Sequence, residues 1–292
     1  MRLSIETFTL RERFGDKEAL RMIKEAGFDA FDYSTYDTTE RTDMLGDDYR
    51  ERAQELRRYA DKIGISCNQA HGPYGFTADQ EMSLDNSNFR RVVRAIEVAD
   101  ILGAKNIVIH TIMNNRARFP EFEECNRAYY HALLRHTENL SICISVENLF
   151  YIDETEQKYY PTYTSPEHHC AFTRSIGSER INACVDVGHV AFGGDDVPDY
   201  ISRMDADLLG CLHIHDNEQD GVNDRHWIPY AGVIDWDGFC RELGQKGYEG
   251  DFTFEIITFL DQQPTGLLGA ALQFAEKTGR FMMEKVAQNK KH

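Results

Sequence analysis

Six short apolar runs in this sequence each end on a histidine or an acidic residue. In the clearest of them, residues 184–189 (CVDVGH), the run reaches Asp186, and glycine and histidine follow at once. A short apolar run of this kind is typical of a strand buried on both faces, as in a parallel sheet. The other five runs end, in chain order, on His71, His110, Glu147, His213 and Glu255. Side chains of these types bind divalent metals or transfer protons.

Helical patterns alternate with these runs along the whole chain. For example, Val92, Val93 and Ile96 share one face of a predicted helix that ends before Gly103. The predicted strands span residues 3–9, 30–33, 65–70, 106–109, 142–146, 183–187, 208–214 and 251–256. The predicted helices span residues 16–26, 48–63, 87–102, 122–140, 166–176, about 198–204, 236–246 and 267–286.

Eight strand–helix units without a change in composition predict one domain over residues 1–292, with a polar tail at 288–292. A parallel sheet with this number of right-handed crossover units matches a single (β/α)8 TIM barrel of the α/β class. An open, doubly wound sheet is the alternative fold. It would need a glycine-rich phosphate turn after the first strand, and residues 10–15 (LRERFG) do not provide one.

Charge and composition limit the classes of partner that this protein could bind. The formal net charge of the chain is -17, and such a surface repels nucleic-acid phosphates and anionic lipids. No apolar run approaches the roughly 20 residues of a membrane-spanning helix, and the N-terminus lacks the apolar core of a secretory signal. The seven cysteines are scattered without a C-x-x-C motif. We therefore expect a reduced cytoplasmic protein without a nucleic-acid or membrane partner.

The barrel prediction brings the six charged run ends together. All strands of a (β/α)8 barrel point their carboxyl ends to one face, where the active site lies. Clustering this many carboxylates and imidazoles without a cation would be costly. The sequence therefore predicts a divalent metal site. Oxygen and nitrogen ligands without thiolate suit Mn²⁺, Co²⁺, Zn²⁺, Mg²⁺ or Fe²⁺, and the sequence does not choose among them.

Further polar residues follow the sixth and seventh strands. His189 begins the loop after the sixth strand and is a candidate ligand or substrate-binding residue. His213 is the favoured ligand of the pair His213 and His215, because it lies closer to the apolar run; His215 is expected in the loop or in contact with a ligand. Asp224 and His226 lie in the next long loop, where they would form a second metal site, bind polar groups of a substrate, or face solvent.

The stretch at 148–165 is long for a connection within a compact domain, and it is rich in tyrosine. Loops of this length are usually lids or binding loops. We expect such a role here, and an insertion with surface tyrosines is the alternative.

An ordered set of motifs covers about two thirds of the chain. It comprises His71-Gly72-Pro73-Tyr74, His110, Val146-Glu147-Asn148, Asp186-Val187-Gly188-His189, His213-Ile214-His215-Asp216, Asp224-Arg225-His226, Gly232-Val233-Ile234-Asp235-Trp236 and Phe254-Glu255. In this order the motifs resemble the xylose isomerase-like TIM barrel superfamily. They are most similar to its sugar phosphate isomerase/epimerase family, which is related to endonuclease IV.

The resemblance implies a function and a set of site residues. It implies one divalent metal ion held by Glu147, Asp186, His213 and Glu255 at the ends of strands five to eight. Glu147 and Glu255 would also be the catalytic acid/base pair, and His189 would help to hold a sugar or sugar phosphate. The implied reaction is isomerisation or epimerisation by proton transfer through a metal-stabilised enediolate.

Endonuclease IV is the alternative within the same superfamily. Its three-zinc centre would correspond to the nine residues His71, His110, Glu147, Asp186, His189, His213, Asp224, His226 and Glu255. The ligand list therefore does not separate an abasic-site endonuclease with up to three Zn²⁺ from an isomerase with one metal. The acidic chain, without a clear set of basic and aromatic DNA-contacting loops, favours the isomerase.

The sequence also leaves other functions open. A dehydratase of keto-inositol type, a relative that acts on sugar conjugates, and a non-catalytic sugar-binding barrel share the fold. Arg116, Arg118 and Arg225 are candidates for binding a phosphate, but the sequence does not show whether the sugar is phosphorylated. A homo-oligomer is compatible with barrels of this kind, which often pair.

Overall fold

The computed structural model describes residues 1–36, 43–112, 121–153, 158–163, 165–219 and 221–290. Arg116 and Arg118, together with residues 291–292 of the tail, lie outside the described residues. No helix of the described part is long and apolar enough to cross a membrane. All seven cysteines are free, as predicted.

In the part of the chain that the structure describes, eight parallel strands form one sheet and two antiparallel strands form another. The strands are β1 (Leu3–Glu6), β2 (Ala30–Ser34), β3 (Ser66–His71), β4 (Asn106–Val108), β5 (Cys143–Glu147), β6 (Phe150–Asp153), β7 (Lys158–Pro161), β8 (Ile181–Asp186), β9 (Leu209–His213) and β10 (Phe252–Phe254). The main sheet has the order β10-β1-β2-β3-β4-β5-β8-β9, and β6 pairs with β7.

The two ends of the main sheet also meet, which closes it into a barrel. Ile214, just after β9, forms a parallel bridge with Phe254 of β10. The Ile214 amide donates to the Thr253 carbonyl at 2.9 Å, and the Glu255 amide donates to the Ile214 carbonyl at 3.1 Å. The (β/α)8 TIM barrel is therefore confirmed, and the open doubly wound sheet is excluded.

Helices surround the barrel. They are α1 (Phe8–Phe14), α2 (Asp16–Ala26), α3 (Tyr49–Ile63), α4 (Ser87–Leu102), α5 (Glu121–His136), α6 (Pro166–Ser175), α7 (Val187–Phe192), α8 (Val197–Arg203), α9 (Trp236–Lys246), α10 (Ile257–Asp261) and α11 (Leu268–Gln288). The predicted bounds of α2, α4 and α9 are confirmed. Local interactions at the two ends of α4 show how such bounds arise. The Asn86 side chain accepts hydrogen bonds from two amides of the first turn of α4, and Gly103 ends that helix in the left-handed conformation.

The first strand is shorter than predicted. It ends at Glu6 rather than at residue 9, because the chain turns into α1 there. The Phe8 amide donates to the Glu6 carboxylate at 2.8 Å, and the Arg11 amide donates to the Thr7 carbonyl at 2.9 Å. This early turn leaves the Glu6 carboxylate at the carboxyl end of β1, on the face where the other strand ends meet.

Several short elements of the described part were not predicted. The stretch after β5 contains the antiparallel pair β6–β7, in which Phe150 pairs with Pro161. The run through Asp186 does not continue as a strand to residue 187, because α7 begins there. The Asp186 side chain accepts from the His189 amide at 2.7 Å and so caps α7.

Candidate metal and catalytic site

Four predicted ligands meet at the carboxyl end of the barrel. Glu147, Asp186 and His213 are the last residues of β5, β8 and β9, and Glu255 directly follows β10. One ligand atom from each lies within 4.8 Å of the others, and all four side chains are buried. We call these four residues the central cluster.

His213 lies between the carboxylates of the central cluster. Its Nδ1 atom is 2.6 Å from Glu147 Oε1, 3.1 Å from Glu255 Oε2 and 3.8 Å from Asp186 Oδ2. Three buried carboxylates carry more negative charge than one imidazole balances, and an uncompensated buried charge is expensive. The donor set therefore fits a divalent cation, which would take carboxylate oxygen and imidazole nitrogen at this position.

The two glutamates have different electrostatic environments. Burial favours the neutral form of both, but His213 and His110 outweigh it at Glu147 and hold the pKa of that carboxyl well below its usual value. Burial dominates at Glu255, whose pKa is raised well above its usual value despite His213 and His226. At Asp186, His189 and His215 outweigh burial and lower the pKa to about 2.

His71 and His110 lie beside Glu147. The Nε2 atom of His110 is 2.9 Å from Glu147 Oε2 and 3.1 Å from His71 Nε2. His71 is the last residue of β3, and its ring stacks on that of His213 with centroids 5.3 Å apart. The fold thus brings the predicted histidines of strands three and four to the central cluster, where His71, His110 and Glu147 form a second group of potential ligands.

A third group lies at the edge of the mouth. It contains His189, His215, Asp224 and His226, and we call it the loop cluster. Asp224 Oδ2 lies 3.2 Å from His189 Nε2 and 2.9 Å from His226 Nε2. Asp224 outweighs the effect of burial and raises the pKa of His226 to about 9. All nine residues predicted from the motifs therefore surround one mouth.

His215 is more central than the sequence indicated. It lies just beyond β9, as expected, but it is fully buried, and its Nε2 atom is 3.0 Å from Asp186 Oδ1. Its ring fills the space above Gly188, where an added Cβ would lie 1.9 Å from His215 Cε1. Glycine at position 188 is therefore required by the close approach of this ring.

Two carboxylates of the site were missed by sequence reasoning. Asp32 of β2 is fully buried, accepts from Gln69 Nε2 at 2.7 Å, and faces His213 Nε2 at 3.5 Å. Glu6 accepts from the Tyr36 hydroxyl at 3.1 Å, and burial together with Asp32 raises its pKa to about 7. The signal was present: both acids lie in apolar strand runs, as the six recognised residues do.

A cavity of about 460 Å³ lies at the mouth of the barrel and is lined by residues of both clusters. Its polar side includes Glu147, His189 and Glu255, and its apolar side includes Phe76 and Ile112. The volume is in the range of pockets that enclose a small molecule. The arrangement is therefore a concave site for a small polar ligand with potential metal ligands at its base.

Comparisons with known proteins agree with this fold. The sequence model of the xylose isomerase-like TIM barrel family matches residues 20–278. A D-tagatose 3-epimerase-like protein of known structure has a TM-score of 0.72 at 19% identity, covering 98% of this chain and 100% of that chain. The uncharacterised protein y4fM of Sinorhizobium fredii is 24% identical over 272 residues, 82% of this chain and 81% of that protein. Fructoselysine 3-epimerase of Escherichia coli O157:H7 is 32% identical over 89 residues, 30% of this chain and 31% of that enzyme.

The expected family and the observed barrel thus agree along most of the chain. The match of the family model begins in α2 and ends in α11, so it includes every strand from β2 to β10. The chain therefore belongs to the xylose isomerase-like TIM barrel family.

Proposed function

We propose that the protein is a divalent-metal-dependent epimerase or isomerase of a keto sugar. The observation that carries this proposal is the central cluster, in which Glu147 and Glu255 converge on His213 beside Asp186. Three carboxylates and one imidazole are a suitable donor set for Mn²⁺, Co²⁺, Zn²⁺, Mg²⁺ or Fe²⁺. The name of one relative, fructoselysine 3-epimerase, supports the same class of reaction.

The two glutamates are the proposed acid/base pair. A divalent ion bound by the central cluster would polarise a carbonyl and its neighbouring hydroxyl and so acidify the C–H bond between them. Glu147 and Glu255 come from strands separated by β8 and β9 in the sheet, so their carboxylates reach the site from two sides. One carboxylate removes the proton from the substrate carbon, and the other returns a proton to the opposite face.

The remaining residues of the mouth bind and orient the sugar. His189 and Asp224 line the cavity and carry hydrogen-bonding atoms suited to sugar hydroxyls. Phe76 and Ile112 line the same cavity and supply apolar surface for the carbon atoms of the sugar. The proposed partner is thus a small-molecule sugar, bound in the cavity at the mouth of the barrel, and we expect the protein in the cytoplasm.

Metal analysis and hydrogen exchange test the proposal together. We expect the purified protein to contain about one divalent ion per chain and to exchange the hydrogen on the carbon next to the carbonyl of a keto sugar in D₂O. Glu147→Gln and Glu255→Gln should each stop conversion of the sugar to its epimer or isomer while metal is partly retained. Exchange followed by release of water would instead indicate a dehydratase. Sugar binding without any exchange in the metal-loaded protein would contradict an epimerase or isomerase.

A second candidate is an abasic-site endonuclease of the endonuclease IV type. The observation that favours it is the presence of three neighbouring groups of potential ligands, which include all nine residues implied for a three-zinc centre. About three Zn²⁺ per chain and cleavage of abasic DNA would support this function over the first. The net charge of -17 argues against it, because a nuclease must attract phosphates.

A further inference from the structure

The apolar side of the cavity contains two hydroxyl groups that the proposed reaction does not use. Thr111 directly follows His110, and Tyr129 belongs to α5. Both residues line the cavity, and both are 3% exposed. Neither hydroxyl has a hydrogen-bond partner in the part of the chain that the structure describes. We call Thr111 and Tyr129 the hydroxyl pair.

A buried hydroxyl group without a partner is unfavourable, because it gives up its hydrogen bonds to water and gains none in return. The changes Thr111→Val and Tyr129→Phe would keep nearly the same shapes without that loss. Since both residues line the cavity, a ligand in the cavity can supply the missing partner. The hydroxyl pair therefore indicates a polar contact with the substrate.

The fold holds both residues of the hydroxyl pair in place through α5. Asn126 of this helix is fully buried, accepts from the Ile112 amide at 2.6 Å and donates to the Ile112 carbonyl at 3.2 Å. It thus fixes the chain directly after Thr111. About one turn further along α5, the ring of Tyr129 stacks on that of Phe76, with centroids 5.2 Å apart. Side chains that are fixed before binding lose little freedom when a ligand arrives.

The surroundings of the hydroxyl pair suit a neutral group. Burial raises the pKa of the Tyr129 hydroxyl above its usual value, and no charged group of the described residues contributes to the shift. None of the described residues that line the cavity is Lys or Arg. Phosphate groups are typically bound by such cations, whereas a hydroxyl group can donate to and accept from Thr111 and Tyr129.

We propose that the hydroxyl pair is a specificity subsite for the terminal hydroxyl group of the keto sugar, at the end remote from the carbonyl. The substrate class is then a ketose without a phosphate at that end. β4, which leads to Thr111, is separated from β9 by β5 and β8 in the sheet, so the subsite and the loop cluster contact different parts of the sugar. The inference rests on the proposed function, in which the central cluster holds the carbonyl end.

Variants that lose only a hydroxyl group test the subsite. The substrate is the keto sugar that the metal-loaded wild type converts best among D-fructose, D-psicose, D-tagatose, L-sorbose, D-ribulose and D-xylulose. Tyr129→Phe and Thr111→Val should each raise KM roughly 5- to 10-fold and leave kcat nearly unchanged, because each loses a hydrogen bond that is equal in the ground state and the transition state. With the terminal deoxy analogue of that sugar, wild type and both variants should have similar KM values.

Tyr130→Phe is the matched control, because this neighbouring tyrosine uses its hydroxyl within the protein. The Tyr130 hydroxyl donates to the Ile109 carbonyl at 2.8 Å. Tyr130→Phe should therefore lower the free energy of unfolding in urea and keep the wild-type ratio of the two KM values, for the sugar and for its deoxy analogue. Tyr129→Phe should do the reverse: it should not lower the stability, since no hydrogen bond within the protein is lost, and its ratio should approach one.

The outcomes separate a wrong subsite from a wrong function. Conversion of no sugar in the panel would contradict the proposed function and this inference together. A wild type that converts a keto sugar, with the same KM in Tyr129→Phe and Thr111→Val, would exclude the subsite alone. Loss of affinity that persists with the deoxy analogue would also exclude it. A higher kcat/KM for the terminal phosphate of the same sugar would show that this end of the substrate is phosphorylated.

Discussion

The central cluster and the loop cluster use the same residue types but are built in different ways. The central cluster (Glu147, Asp186, His213 and Glu255) lies at strand ends, and its four residues are at most 4% exposed. In the loop cluster, the side chains of Asp224 and His226 are 22% and 17% exposed and come from the loop after β9. Hydrogen bonds along the sheet fix the first group, whereas Asp224 and His226 of the second depend on the path of a loop.

This difference suggests a division of tasks. Residues that transfer protons must be held closely at the reacting atoms, and strand ends supply that rigidity. Residues that recognise a substrate tolerate more movement and are often on loops. We therefore propose that the central cluster carries out the chemistry and that the loop cluster recognises the substrate.

The largest expected effect is in the central cluster. Glu255→Gln keeps the shape of the side chain but removes its ability to accept a proton, so turnover should fall roughly 1,000-fold. The measurement is conversion of a keto sugar to its epimer or isomer by NMR, with metal content determined on the same sample. Glu51→Gln, at an exposed position of α3, is the matched control. Turnover within a few-fold of wild type would exclude Glu255 as acid or base.

The next effect concerns His215 of the loop cluster, whose Nε2 atom lies 3.0 Å from Asp186 Oδ1 of the central cluster. Gly188→Ala places a Cβ against the buried ring of His215, which also stacks on His226 at 4.0 Å. We expect a loss of about 3 kcal/mol in the free energy of unfolding, measured with urea. Gly266→Ala is the control, because a Cβ there meets no atom within 4 Å. An equal response of both variants would mean that the His215 ring moves away at little cost.

Behind the central cluster, Asp32 should orient His213, the proposed metal ligand. Asp32→Asn removes the charge opposite Nε2, and partners of this kind typically contribute 10- to 100-fold to metal affinity. We expect a weakening in that range, about 30-fold, in a titration with a competing chelator. Asp85→Asn, at an exposed site, should change nothing. An unchanged affinity in Asp32→Asn would show that the strands alone hold the ring.

The same contrast explains what the sequence could predict. Strand ends follow from local apolar runs, so Glu147, Asp186 and His213 could be placed at one mouth before any coordinates were known. Glu6 was missed because the first strand was predicted to continue to residue 9, so this acid was not recognised as a strand end; the chain turns into α1 there, and the Phe8 amide donates to the Glu6 carboxylate. The burial of His215 depends on the path of the chain beyond β9 and on the space above Gly188, and neither is local.

The smallest expected effect is in the loop cluster and tests the division of tasks itself. Asp224→Asn removes the charge shared by His189 and His226 without altering any strand end. If the loop cluster only recognises the sugar, KM should rise about tenfold, while kcat and the metal content stay close to those of wild type. If the loop cluster instead holds a metal of its own, the metal content should fall by about one ion per chain. That result would favour the three-metal site and, with it, the endonuclease alternative.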